Sequence, residues 1–156
     1  MTPPAPPPDN PLPRSLWALM MGNFVIGTGV MVVPGTLNDI SASLNVSIPQ
    51  AGQLITAAAI LMGLGAPAFA TLVAGWDRRR LLTLSLVWYA LLTAICALAP
   101  SYATLLPLRV LAVIAPAVFT PQAAASVGLL VSPAQRGRAI TFVFLGWSVA
   151  SVMGMP

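Results

Sequence analysis

The sequence has no histidine, a single cysteine and ten formal charges, seven Lys or Arg and three Asp or Glu, in 156 residues. Without histidine, neither a His-based catalytic triad nor a Cys/His zinc cluster can be assembled, and Cys96 alone cannot close a disulfide within the chain. The three acids, Asp9, Asp39 and Asp77, are too scattered along the sequence to suggest a carboxylate pair. No nucleophile and base stand ready to be paired, so the sequence reads as a protein that is not an enzyme, with no metal and no cofactor. The scarcity of charge excludes more. A soluble domain carries roughly 25% charged residues because its surface faces water. Here 6% are charged, 58% are hydrophobic and the mean hydropathy is +0.89. Such a chain takes a lipid bilayer as its solvent.

What charge there is has one dominant sign. The bases are all arginine: Arg14, Arg78, Arg79, Arg80, Arg109, Arg136 and Arg138. A nucleic-acid binder interleaves its cations with aromatic or polar contacts along a stripe. These arginines instead form short clusters at the ends of apolar blocks, which excludes nucleic acid as the partner. The first thirteen residues, MTPPAPPPDNPLP, hold seven of the sixteen prolines. Proline lacks the N–H that a helix needs, so residues 1–14 are expected to be a disordered cytoplasmic tail. A cleaved signal peptide is the competing reading, but Arg14 alone would supply its cationic region and no A-x-A site follows the apolar stretch.

Five apolar segments follow, at about 16–37, 51–75, 81–99, 105–131 and 139–156. Each is near or above the ~20 residues that cross ~30 Å of hydrocarbon at ~1.5 Å per residue. The expected fold is all-α, a polytopic membrane bundle with five transmembrane helices. Pro107, Pro116 and Pro121 predict a kinked fourth segment, tolerated where neighbours satisfy the freed backbone groups. Two S-x-x-Q patterns, Ser47 to Gln50 and Ser132 to Gln135, carry proline in what would be a first helical turn. They are expected to cap the starts of the second and fifth helices.

Orientation follows from the arginines. Arg14, the run Arg78 to Arg80, and the pair Arg136 and Arg138 all fall on one side of such a bundle, while the opposite loops, about 38–50 and 100–104, hold no Lys or Arg. The positive-inside rule makes the N-terminus and the arginine-bearing loops cytoplasmic. The last segment stops at Pro156 with no polar anchor after it, so the chain is expected to be a fragment of a longer protein.

Few polar residues interrupt the apolar blocks, and they are the candidates for function. Arg109 is the one charge inside a block, and placing it at a bilayer centre costs about 2.5–3.5 kcal/mol. It either lines a polar cavity or snorkels to the outer interface. Asn23, Gly27 and Thr28 give the first helix a face suited to a pathway, or to tight packing through Gly22, Gly27 and Gly29. Ala59 and Gly63, continued by Ala66, Ala70 and Ala74, form a small-residue interface stripe, with Gln53 and Thr56 toward its outer end. On the fourth helix Thr120 and Gln122 lie nearest the cytoplasmic end; Gln122 is either a substrate contact or an interhelical hydrogen bond. Trp76 to Arg80 is a short turn in which Asp77 beside Arg78, Arg79 and Arg80 is either a topogenic anchor or a gating latch.

Four stretches, FVIGTGVMVVPGTLNDISASLNVSIPQAGQLITA, AGWDRRRLL, PSYATLLPLRVLA and SPAQRGRAITFVFLGWSVASVMGMP, resemble in order and spacing the N-terminal half of a major facilitator superfamily transporter, of the drug/proton antiporter and sugar-efflux branch. The resemblance implies two six-helix halves built from inverted three-helix repeats, with substrate bound near the midplane between them. This chain would supply helices one to five. Asp77 and Arg78 match the D-R pair of the family's latch motif G-x-x-x-D-R-x-G-R-R, whereas Val73 and Arg80 stand where its glycines belong. Arg109 matches the arginine of the fourth-helix motif, associated with proton coupling or cavity lining. Gly146, Gly154 and Pro156 resemble the beginning of the Gly-rich fifth-helix antiporter motif, with Met155 separating the last two. Related efflux proteins often carry an acid mid-way along the first helix, where this chain has Val30, so coupling would rest on other residues or on the missing C-terminal half.

The resemblance implies a multi-pass protein of the bacterial inner membrane that exports a small organic molecule, a drug, sugar or metabolite, in exchange for protons by alternating access. Its partners would be the lipid bilayer, the small-molecule substrate, protons and the missing C-terminal half. The rival reading is a small membrane scaffold or assembly subunit that moves nothing.

Overall fold

The computed structural model describes residues 13–153, and these form six α-helices and one short 3-10 turn. Helix α1 spans Arg14–Gly35, α2 Leu37–Ser43, α3 Ile48–Leu72, α4 Arg78–Ala97, α5 Tyr102–Leu130 and α6 Arg136–Met153, with the 3-10 turn at Pro133–Gln135. Helices α1, α3, α4 and α5 are long and apolar enough to cross a membrane. Helix α6 is 18 residues long and carries Arg136 and Arg138 in its first turn, which lowers its mean hydropathy. The molecule is a polytopic helical bundle.

Local chemistry sets the boundaries. Ser47 opens α3 with its hydroxyl accepting the Gln50 N–H at 3.3 Å, and Asp77 opens α4 by accepting the Arg80 N–H at 2.9 Å. Each satisfies one of the amides a helix start leaves unpaired. At the start of α5 the Thr104 hydroxyl accepts the Ser101 N–H at 3.3 Å, a cap not visible in the sequence reading. The second S-x-x-Q pattern behaves otherwise. The Gln135 N–H donates to the Ser132 carbonyl at 3.0 Å, closing the 3-10 turn, and the Ser132 side chain makes no cap bond. The amide a capping box would have used is already taken. Helix α5 runs unbroken through Pro107, Pro116 and Pro121, and the Trp88 indole donates to the Leu111 carbonyl at 2.9 Å, beside the one that Pro116 cannot serve.

The core lies between α1, α4, α5 and α6, around Leu16, Ile26, Phe119, Val127 and Val143. Glycines set how close the helices come. A Cβ on Gly146 would strike the Met20 carbonyl oxygen and lie 2.9 Å from the Phe24 nitrogen, so α6 and α1 meet backbone to backbone. A Cβ on Gly27 would lie 2.8 Å from the Ala150 Cβ, and one on Gly22 would enter the Phe119 ring. These are the close approaches by which membrane helices gain contact in the absence of a hydrophobic drive. Helix α3 is held differently. Its buried residues, Ala51, Leu54 and Ala58, all lie in its first half. Ala59 and Gly63 are exposed, and a Cβ on Gly63 would meet nothing within 4 Å, so the small-residue stripe is open at Gly63 among the described residues.

Candidate functional site

Arg109 is 5% exposed despite its charge, so it does not snorkel. Its Nη2 donates to the Gly29 carbonyl at 3.1 Å, across from α5 to α1. Its Nε, also buried, has no hydrogen-bond partner. One hydrogen bond from a charged donor is worth about 1.5–3 kcal/mol, comparable to the insertion cost and leaving nothing over for the unserved Nε–H. The two described carboxylates do not neutralise the charge: Asp39 is exposed on α2, and Asp77 is exposed and caps α4.

Three residues of α4 join Arg109. The Tyr89 hydroxyl donates to the Ile26 carbonyl at 3.4 Å and lies within electrostatic reach of Arg109. The Thr93 hydroxyl oxygen is buried without a well-formed hydrogen bond, and it too lies close to the Tyr89 hydroxyl. Thr93, Cys96 and Arg109 share the wall of a cavity of ≈ 330 Å³ with Val32, Leu54 and Leu105. Gly29 makes the arrangement fit, because a Cβ there would stand 2.5 Å from the Tyr89 hydroxyl oxygen. Sequence reasoning missed Tyr89, Thr93 and Cys96. The signal was present: with Ser85, a buried residue whose hydroxyl bonds back to the Leu81 carbonyl at 2.8 Å, they recur at helical spacing along one face of α4.

The other candidates fall elsewhere. Asn23 is fully buried; its Nδ2 donates to the Val143 carbonyl of α6 at 3.2 Å, and its Oδ1 accepts the Thr120 hydroxyl of α5 at 3.3 Å. It braces three helices. The Thr28 hydroxyl donates to the Phe24 carbonyl of its own helix at 2.9 Å. Gln53 and Thr56 are exposed on α3: Gln53 Oε1 lies 3.4 Å from the Tyr102 hydroxyl, which donates to the Gln50 carbonyl at 2.6 Å, and the Thr56 hydroxyl donates to the Gly52 carbonyl at 3.4 Å. The Gln122 carbonyl accepts the Ser126 hydroxyl at 2.7 Å. The structure brings together Asn23 and Thr120; it leaves Gln53 and Thr56 on an open face.

At the arginine-bearing end Asp77, Arg78, Arg79 and Arg80 are all exposed. The Asp77 carboxylate caps α4, and Arg79 borders a crevice of ≈ 430 Å³ between the starts of α1 and α4 and the end of α5. The Arg136 guanidinium reaches back to the Gly128 carbonyl at 3.2 Å. Gly146 is a packing contact against α1, while Gly154 and Pro156 of the same expected motif lie outside the described residues.

A multi-pass helical membrane protein with one buried, incompletely bonded arginine beside a cavity is the class so defined. The sequence profile of the Major Facilitator Superfamily matches residues 19–156, and the chain belongs to that family. It is 33% identical to a chloramphenicol resistance protein of Streptomyces lividans over 93% of this chain and 37% of the relative. It is 32% identical to a chloramphenicol efflux pump of Mycobacterium tuberculosis (strain H37Rv), over 90% of this chain and 34% of the relative. An inner membrane transport protein of Escherichia coli (strain K12) is 32% identical over 90% of this chain and 36% of its own length. The chain thus spans a little over a third of the curated relatives it matches. No solved structure matches it significantly.

Proposed function

We propose that the chain supplies the first five membrane helices of a secondary transporter that exports a small organic molecule across a bacterial inner membrane in exchange for protons, and that it is not an enzyme. The C-terminal half would form the other wall of the pathway, and the two halves would expose the site alternately to each side. The observation that carries the reading is Arg109: a buried cation with an unserved donor beside a cavity, in a chain of this family. An ionisable residue within membrane helices marks a substrate or proton route by default. Asn23, Thr28, Gln53, Thr56 and Gln122 are proposed along the same route. Gln53 and Thr56 suit a face that meets the C-terminal half, since they are exposed on α3.

The membrane orientation is proposed on the same footing. Arg14, Arg78 to Arg80, Arg136 and Arg138 support a cytoplasmic N-terminus by the positive-inside rule. Asp77 and the following arginines are proposed as a latch that pairs with a neighbouring helix end in one conformation only, and Gly146, Gly154 and Pro156 as the start of an antiporter motif on the fifth membrane helix.

Chloramphenicol is the probe the relatives suggest. Cells of an efflux-deficient bacterium expressing the intact gene are expected to accumulate less of it than control cells, the difference vanishing when an uncoupler collapses the proton gradient. Arg109→Ala is expected to restore accumulation to the control level. Unchanged accumulation across a panel of drugs, sugars and metabolites, with the protein present in the membrane, would overturn the proposal and favour the scaffold.

A further inference from the structure

The Arg109 cavity is more informative than a transport reading requires. Two of its polar atoms, Arg109 Nε and Thr93 Oγ1, are buried without a well-formed hydrogen bond. Buried polar atoms are nearly always bonded, and an exception calls for a missing partner. Arginine is donor-only and stays charged, so whatever serves its Nε must bring an acceptor. The described carboxylates are exposed at helix ends and do not supply it. Val32, Val33, Leu54 and Leu105 make most of the remaining wall apolar, the Thr36 and Ser43 hydroxyls on it being bonded to the Val32 and Ile40 carbonyls, and the volume of ≈ 330 Å³ lies at the lower end of the roughly 300–1,000 Å³ of small-molecule sites. That suits a molecule of about one ring.

We propose that this cavity, lined by α1, α2, α3, α4 and α5, binds small amphipathic molecules by an acidic or acceptor-only end held at Arg109 and Thr93, and rejects amphipathic cations. The inference rests on the reading of Arg109 as the charge that faces the transported molecule, and adds to it the chemical class of the ligand. A cation would bring a second positive charge to a buried guanidinium in a medium of low dielectric, where repulsion is poorly screened. A carboxylate would accept from the guanidinium and the Thr93 hydroxyl after a side-chain shift that opens them to the cavity, since Nε and Oγ1 are sealed from it as they stand, while its ring packs against the aliphatic wall.

Cys96, which lines the same cavity, is the reporter. The intact protein in detergent is alkylated with a small maleimide, and the rate is read by mass spectrometry at the peptide bearing Cys96. Benzoate, benzyl alcohol and benzylammonium are the probes. Benzoate is expected to slow alkylation at concentrations about tenfold lower than benzylammonium needs, the factor that a hydrogen bond to a charged group confers, with benzyl alcohol between. Thr93→Val is expected to weaken protection by benzoate and, to a smaller extent, by benzyl alcohol, and to leave that by benzylammonium unchanged; Arg109→Gln is expected to abolish the preference for the anion. Equal protection by benzoate and benzylammonium in the unsubstituted protein, or no protection by any probe, overturns the inference without recourse to a variant that must fold. A preference surviving Arg109→Gln overturns it equally. Protection without export would sink the transport reading alone; export without protection would sink this one alone.

Discussion

The guanidinium of Arg109 on α5 donates to the backbone carbonyl of Gly29 on α1, 3.1 Å away, and the residue that accepts it is also the one whose missing side chain admits Tyr89. A Cβ on Gly29 would stand 2.5 Å from the Tyr89 hydroxyl oxygen. Three helices therefore meet at one glycine, and the buried charge is placed by the absence of an atom as much as by a bond.

Gly29→Ala should therefore displace Tyr89 and loosen the contact with α4, lowering thermal stability in detergent by about 1–3 kcal/mol, as overpacking does. Tyr89→Phe removes the colliding oxygen. The double substitution should be more stable than Gly29→Ala alone. If the two effects simply add, the collision is not where the structure has it.

Gly146 offers a sharper contrast with Gly63. Because a Cβ on Gly146 meets backbone atoms of Met20 and Phe24, Gly146→Ala should reduce the folded, membrane-inserted fraction severely. Gly63 faces open space, and Gly63→Ala should be neutral or stabilising by up to about 1 kcal/mol through helix propensity. Fluorescence-detected size exclusion of the two variants measures both.

Asp77 separates capping from charge. Asp77→Ala should cost about 1 kcal/mol of stability through the lost cap, whereas Asp77→Asn keeps an acceptor for the Arg80 N–H and should be nearly neutral. If the carboxylate also acts as a latch, Asp77→Asn will abolish export while the melting temperature stays put. Full export by Asp77→Asn would reduce the residue to a cap.

Asn23→Leu removes bonds to both α5 and α6. Polar contacts between membrane helices average ~0.6 kcal/mol and reach ~1.7, and the Val143 carbonyl would keep its helical donor. The expected loss is accordingly about 1–2 kcal/mol in detergent unfolding. A loss of export at unchanged stability would instead put Asn23 on the substrate route.

Much of this was legible in the residues. Arg109 stands out as a lone charge within an apolar run, and no structure is needed to single it out. Which helix faces it is another matter. Ser85, Tyr89, Thr93 and Cys96 advertise one face of α4, but the pairing of that face with Arg109 depends on how α4 packs against α5 and α1. The capping signals show the same boundary. Identical S-x-x-Q patterns gave a cap at Ser47 and none at Ser132, because a tighter turn at Ser132 consumed the Gln135 amide that the hydroxyl needs. A four-letter pattern does not encode the pitch of the turn that follows it.

Helix α3 is clamped at one end. Its three buried side chains end at Ala58, while the helix continues to Leu72, roughly 20 Å further at ~1.5 Å per residue. Mechanically that is a cantilever: displacement grows with distance from the fixing point. A tilt too small to disturb Ala51, Leu54 and Ala58 would be magnified at Leu72, and the turn at 73–77 would have to absorb it, because Leu81, next after Arg80, is buried and holds the start of α4 in place.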